Sequence, residues 1–356
     1  MPDVTRFVTL TLCGLAGSAL AGDDPVETTT RIVGLSADGL SYGVRRSTRV
    51  HEDTQEGDHA DEKSRCGYLG SAELPSPDAV ELSWCKVGGA CAPLMPVFAL
   101  PAAGSKDSVP LLDPKRCTSE KKSDENFARA RAALTAQEID LQRGPLPLET
   151  RDEQRLGWAH AVTVPADSLS EWGLTQAVSL SLECPTQSAP PTLRATIEGE
   201  RTSVTVFSFT ATNKCLFFDQ AVLTPAAVVG TARTLLYQTP VASAEREKAF
   251  SGAPFDLSLA RLASRLLNQR GLEAHRARQY TEAARDFERA STADATFGLA
   301  FFNRACSLAL AGDAEGALAA LREALRLDRP GFVAKARREP DLSSLRKATE
   351  FSALMR

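Results

Sequence analysis

The chain has 356 residues, 43% hydrophobic and 24% charged, enough apolar material to bury the cores of two or three domains. A formal net charge of −4 gives no electrostatic ground for nucleic-acid binding. No phosphate-cradling glycine loop, dinucleotide fingerprint or complete nucleophile elbow is present, so the sequence calls for no cofactor and discloses no reaction.

Residues 1–21 carry one basic side chain, Arg6, then an apolar run from Phe7 to Leu20 that closes on Ala19-Leu20-Ala21 before Gly22. That arrangement predicts a signal peptide with a small-x-small cleavage site. The run is shorter than the roughly 20 residues a helical span needs, and no later stretch approaches that length, so no integral membrane span is expected. Leu10-Thr11-Leu12-Cys13 has the outline of a lipidation box, and bulky Leu12 argues against it.

From about residue 30 the apolar period becomes 2. Residues 32–35 and 40–44 flank Ser36-Ala37-Asp38-Gly39, which predicts a hairpin turning on Asp-Gly. Val178, Leu180, Leu182 and Cys184 alternate with polar neighbours, as do Leu193, Ala195 and Ile197, then Val204 and Val206. Such alternation predicts antiparallel strands with one face in water. Two β-rich modules are expected, over residues 30–122 and 150–240. Between them the alanine-rich stretch 123–143 predicts a helix ended by Gly144-Pro145. Val162, Ala166, Asp167, Leu169 and Ser170 echo Val33, Ala37, Asp38, Leu40 and Ser41 at a distance of 129 positions, five identities over nine positions. Residues 241–255 read as a linker, helical over 241–250.

Export agrees with the cysteines. Apart from Cys13 and Cys306, six remain in the β-rich part, and six can pair in 15 ways. The pairing expected is Cys66–Cys117, Cys85–Cys91 across a Gly88-Gly89 turn, and Cys184–Cys215. No C-x-x-C spacing occurs and no histidine lies nearby, so zinc has no support. Cys306 falls on an apolar helix face and reads as a core residue.

Residues 51–62 gather His51, Glu52, Asp53, Glu56, Asp58, His59, Asp61 and Glu62. Without the glycine of an EF-hand loop or an H-E-x-x-H spacing, an exposed loop is the better account than a metal site. Gly34-Leu35-Ser36-Ala37-Asp38 lacks the last glycine of a G-x-S-x-G elbow, and its serine precedes a β-turn, which argues against a nucleophile.

Residues 256–356 are different. Shifted by 34 positions, Leu267 falls on Phe301, Gly271 on Ala305, Ala283 on Ala317, Phe287 on Leu321 and Ala290 on Ala324. A 34-residue period with apolar residues three and four apart predicts paired amphipathic helices. Turns are expected at residues 277–279 and 311–313, and Pro330 ends the second unit. Two units cannot close a core alone, so caps are needed. Residues 331–338 and 341–355 are expected to supply them as helices, the second burying Leu342, Leu345, Phe351 and Leu354 along one face, and residues 255–262 to extend the first helix backwards. This α+β chain thus reads as a β-rich antiparallel region followed by an all-α domain of helical hairpins.

With Gly271, Tyr280, Ala283, Phe287 and Ala290, then Ala317, Leu321 and Ala324, at its signature small and large positions, the segment resembles the tetratricopeptide repeat family. The resemblance implies that the first helix of each unit lines a concave face for a protein or peptide. Here that face would present Arg265, Asn268, Leu272, His275 and Arg276, then Leu299, Phe302, Asn303 and Cys306. Asn268 and Leu272 stand where the family's carboxylate clamp has Lys and Asn, so capture of a peptide terminus is not implied. From Asp256 onward 17 Lys/Arg face 13 Asp/Glu, which fits either solvated helix faces or a mildly basic groove for an acidic partner. The function expected is an exported scaffold of Gram-negative type, periplasmic or extracellular, binding proteins through residues 256–356. The alternative is an envelope hydrolase with its site in the β-rich region.

Overall fold

The structure, a computed structural model, describes residues 26–50, 79–99, 120–141, 146–147, 149–151, 161–184, 190–209, 215–234 and 253–356. The expected signal peptide, Cys13, the acidic stretch 51–62, the Cys66–Cys117 pair and the expected helix at 241–250 lie outside the described residues.

The hairpin forms where Asp-Gly predicts it. Strands β1 (Val26–Ser36) and β2 (Ser41–Val50) pair antiparallel, and Gly39 turns between them at φ +71°, a left-handed conformation that favours glycine. Buried Ser36 belongs to this turn: its hydroxyl donates to Asp38 Oδ1 at 2.6 Å and accepts from the Ser41 amide at 2.8 Å. Strands β3 (Ala79–Lys86) and β4 (Met95–Ala99) continue the meander, and Cys85 is bonded to Cys91 across the turn that follows β3. Helix α1 (Glu120–Thr135) buries Ala130 and Leu134 against Leu82 and Val97.

The predicted helix runs past the observed one. Glu138 takes φ +58°, which a continuing helix cannot accept, and Ile139–Asp140 pair with β1 as strand β5. Burial explains the switch, because Ile139 joins the core beneath α1 only from the sheet edge. The first sheet therefore runs β4-β3-β2-β1-β5.

A second sheet holds β7 (Glu149–Arg151), β8 (Ala161–Val164), β9 (Val178–Glu183), β10 (Thr192–Ile197) and β11 (Ser203–Ser208) as consecutive antiparallel neighbours. Burial alternates along β9 and β10 as the sequence alternation requires. Cys184 and Cys215 are bonded, joining the end of β9 to the start of the third sheet. The sequence echo of the first hairpin has no structural counterpart: Ala166–Ser168 and Ser170–Trp172 are 3-10 turns, and Leu169 is fully buried where Leu40 is 49% exposed.

The third sheet, in order β14-β13-β12-β6, contains β6 (Leu146–Pro147), β12 (Leu216–Leu223), β13 (Ala227–Thr234) and β14 (Ala253–Ser258). Here another expectation fails, because residues 253–258 are neither linker nor the start of a helix. Phe255, Leu257 and Leu259 are buried while Asp256 and Ser258 are not, a period-2 pattern, and Phe255 packs against Phe209 and Phe218. Burial of that face outweighs continuation of the helix that follows.

Helices α2 (Leu259–Arg276) and α3 (Tyr280–Ala293) form one antiparallel hairpin, and α4 (Gly298–Ala311) and α5 (Ala314–Leu327) the next. Glycine is required at 271 because a Cβ there would sit 2.8 Å from the Phe287 ring, so the two large and small positions interlock. Asp313 caps α5 by accepting from the Gly316 amide at 2.8 Å. Pro330 lies in the first turn of α6 (Arg329–Ala336), where its missing N–H costs nothing. The expected helix over 341–355 is instead a 3-10 segment, Pro340–Leu345, followed by α7 (Thr349–Leu354), because Ala348 is extended. Leu342, Leu345 and Phe351 are still buried, and they close the end of the helical stack.

One core unites the second and third sheets with α2 and α3. Antiparallel sheets followed by helices make the chain α+β. Among the described residues no helix is long and apolar enough to cross a membrane.

Candidate binding face on helices α2 and α4

Side chains three and four apart on α2 share one face, which places Arg265, Asn268, Leu272, His275 and Arg276 in a row. Helix α4 carries Leu299, Phe302, Asn303 and Cys306 one repeat later. The structure links the two rows directly: Asn303 Nδ2 donates to Asn268 Oδ1 at 2.9 Å, and His275 Nδ1 lies 2.8 Å from Ser307 Oγ. Arg265 stacks over the Phe297 ring, 3.6 Å from its centroid. Burial holds that guanidinium below its usual pKa, with Asp294 acting the other way.

Not every expected residue faces solvent. Asn268 is only 7% exposed and Phe302 4%, the latter stacked on Phe332. Cys306 is buried too, and burial pushes its thiol far above the reactive range. These side chains support the face rather than form its surface. What remains accessible is Arg276, exposed, with Arg265, Leu272, His275, Leu299 and Asn303 half-buried beside it.

Sequence spacing did not point to Asp341, whose Oδ2 lies 3.0 Å from His275 Nε2. Nor did it point to Ser307, a fully buried hydroxyl. Ser307, His275 and Asp341 form a hydrogen-bonded chain of the residue types used by serine hydrolases, yet the geometry does not serve acyl transfer. Ser307 has no exposed surface for a substrate and lies within α4, where backbone N–H groups are taken up by the helix, leaving no oxyanion donors beside it. The imidazole also meets serine through Nδ1 and aspartate through Nε2, the reverse of the hydrolytic order. Through its two ring nitrogens His275 bridges Ser307 and Asp341, tying α2, α4 and the 3-10 segment together.

The back of α2 is fastened to the β-sheet region. Arg270 donates to both Asp286 carboxylate oxygens at 3.0 and 2.9 Å and approaches Glu200 at 3.7 Å. Burial opposes the Arg270 charge, but the Asp286 hydrogen bonds and charge outweigh it and raise the pKa. Thr202 donates to Glu273 Oε2 at 2.9 Å from the β10–β11 turn. One side of the first hairpin is thus committed to the sheets, and the face with Arg276 and Leu299 is left outward.

Elsewhere, a shallow open depression of about 370 Å³ is lined by Arg278, Gln279, Tyr280, Thr281, Glu282, Arg285 and Ala311. Among the described residues no cluster of three or more His, Cys, Asp or Glu side chains is placed to hold a metal ion. No family model matches the chain, and no curated protein or solved structure matches it significantly.

Proposed function

We propose that this chain is an exported protein–protein interaction scaffold, periplasmic or extracellular and of Gram-negative type, whose tetratricopeptide-like hairpins hold a partner on the α2/α4 face. The observation that carries the proposal is the Asn268–Asn303 bond together with the His275–Ser307 contact, which hold the two rows in register before any partner arrives. A face ordered in advance loses less side-chain freedom on binding. Its accessible residues mix aliphatic, amide and cationic groups, as interfaces do. The disulfides Cys85–Cys91 and Cys184–Cys215 fit an oxidising compartment.

Affinity purification from envelope extract tests this with three baits: the unmodified protein, Leu272→Glu/Leu299→Glu, and Glu315→Lys on exposed α5. A discrete partner retained by the first and third but lost by the second supports the face. Equal retention by all three contradicts it.

A further inference from the structure

Between Arg329 and the end of the chain, six cationic side chains are exposed: Arg329, Arg337, Arg338, Arg346, Lys347 and Arg356. Only one carboxylate side chain in that stretch, Glu350, is exposed; Glu339 and Asp341 are half-buried, and Asp341 is bonded to His275. The chain as a whole is acidic, so this is a local inversion of charge.

Backbone anchors gather several of these cations into two groups. Arg329 Nη2 donates to the Leu354 carbonyl at 3.1 Å and Arg337 Nη2 to the Met355 carbonyl at 2.8 Å, which brings both beside the end of α7 and Arg356. Arg346 Nη2 donates to the Glu339 carbonyl at 2.9 Å, next to Arg338. Each anchored guanidinium spends a donor on a neutral carbonyl and keeps its charge. Some helix-face cations elsewhere are paired, Arg304 with Glu288 at 2.6 Å and Arg326 with Glu323 at 2.8 Å, whereas Arg276, Arg285 and Arg322 are exposed without an ion pair among the described residues; the cap differs in the density of its cations. None of the six cap cations has a carboxylate within ion-pair distance among the described residues.

We propose that the outer surface of α6, the 3-10 segment and α7 docks an acidic segment of a partner protein, by contacts separate from those on α2 and α4. Arginine held by its backbone anchor presents the remaining N–H groups as a fork suited to carboxylates. An anionic membrane fits less well. Surface-bound proteins insert apolar side chains, and among the described residues the large exposed ones are Leu40, Phe127 and Leu310, none on this surface.

The test is binding of a fluorescent 15-residue Asp/Glu-rich peptide to the purified protein, read by anisotropy. Binding is expected at 50 mM NaCl and should weaken about tenfold by 300 mM. Arg338→Glu/Lys347→Glu, whose side chains anchor nothing, should weaken it about tenfold with unchanged melting temperature. Leu272→Glu should leave it unaltered. The proposal is overturned if the peptide does not bind at low salt, or if the Arg338/Lys347 variant binds equally well. It is also overturned if Leu272→Glu abolishes binding, or if phosphatidylglycerol vesicles bind and excess peptide does not displace them.

Discussion

His275 on α2 and Asp341 near the end of the chain meet at 3.0 Å across 66 sequence positions, and the same imidazole reaches Ser307 on α4 at 2.8 Å. One side chain therefore joins three elements, and the order of the α2/α4 face depends on it. Its side chain is 21% exposed, so the pair with Asp341 is partly screened, whereas Ser307 is fully buried.

Replacing the imidazole should expose that asymmetry. His275→Ala leaves the buried Ser307 hydroxyl without a partner and should cost about 1–3 kcal/mol. Asp341→Asn keeps a hydrogen-bonding group at a half-exposed site and should cost at most about 1 kcal/mol. Urea unfolding of both variants and the double variant measures the costs; equal losses for the two single changes would contradict this assignment.

At the junction of the first and third sheets, Tyr42 donates its hydroxyl to Asp256 Oδ2 at 3.0 Å, and the Gly88 amide donates to Oδ1 at 2.6 Å. Burial, then the Asp256 charge and hydrogen bond, raises the Tyr42 pKa well above its ordinary value. A phenol whose folded pKa exceeds its unfolded one stabilises the fold fully below about pH 10, and that stability is lost as pH rises above it. Tyr42→Phe should therefore lower stability by about 1 kcal/mol at neutral pH and flatten the decline above about pH 10. Denaturation midpoints from pH 7 to 11 read this out. An unchanged alkaline slope would contradict it.

Much of this architecture was legible locally. Asp38-Gly39 announces its hairpin, alternating residues announce β9 and β10, and the interlocking Gly271 and Phe287 announce α2 and α3. Where expectation failed, burial by distant chain decided. Ile139 leaves a helix pattern to cover Leu82 and Val97, and Phe255 leaves one to meet Phe209 and Phe218. The family resemblance set Asn268 and Asn303 on the same side of α2 and α4, and the structure brings them together. The bond between them, and the inward turn of Phe302 onto Phe332, depend on packing that a single period does not specify. Asp341 carries no local signal at all, because it matters only once the cap has folded back onto α4.

The two disulfides among the described residues close loops of different length, with sequence separations of 6 for Cys85–Cys91 and 31 for Cys184–Cys215. Loop-closure entropy then predicts about 2 kcal/mol from the first and about 4 kcal/mol from the second. Paired Cys→Ala variants followed by thermal unfolding should show the larger fall for the second pair. The reverse order would mean that chain entropy is not the dominant contribution.

Site-specific photo-crosslinking tests the scaffold account most directly. A benzophenone side chain placed at Arg276 or Leu299 should capture one discrete partner in envelope extract, while the same group at exposed Glu315 in the first turn of α5 should capture none. Equal yields at all three positions, or a partner captured only from Glu315, would contradict an α2/α4 binding face.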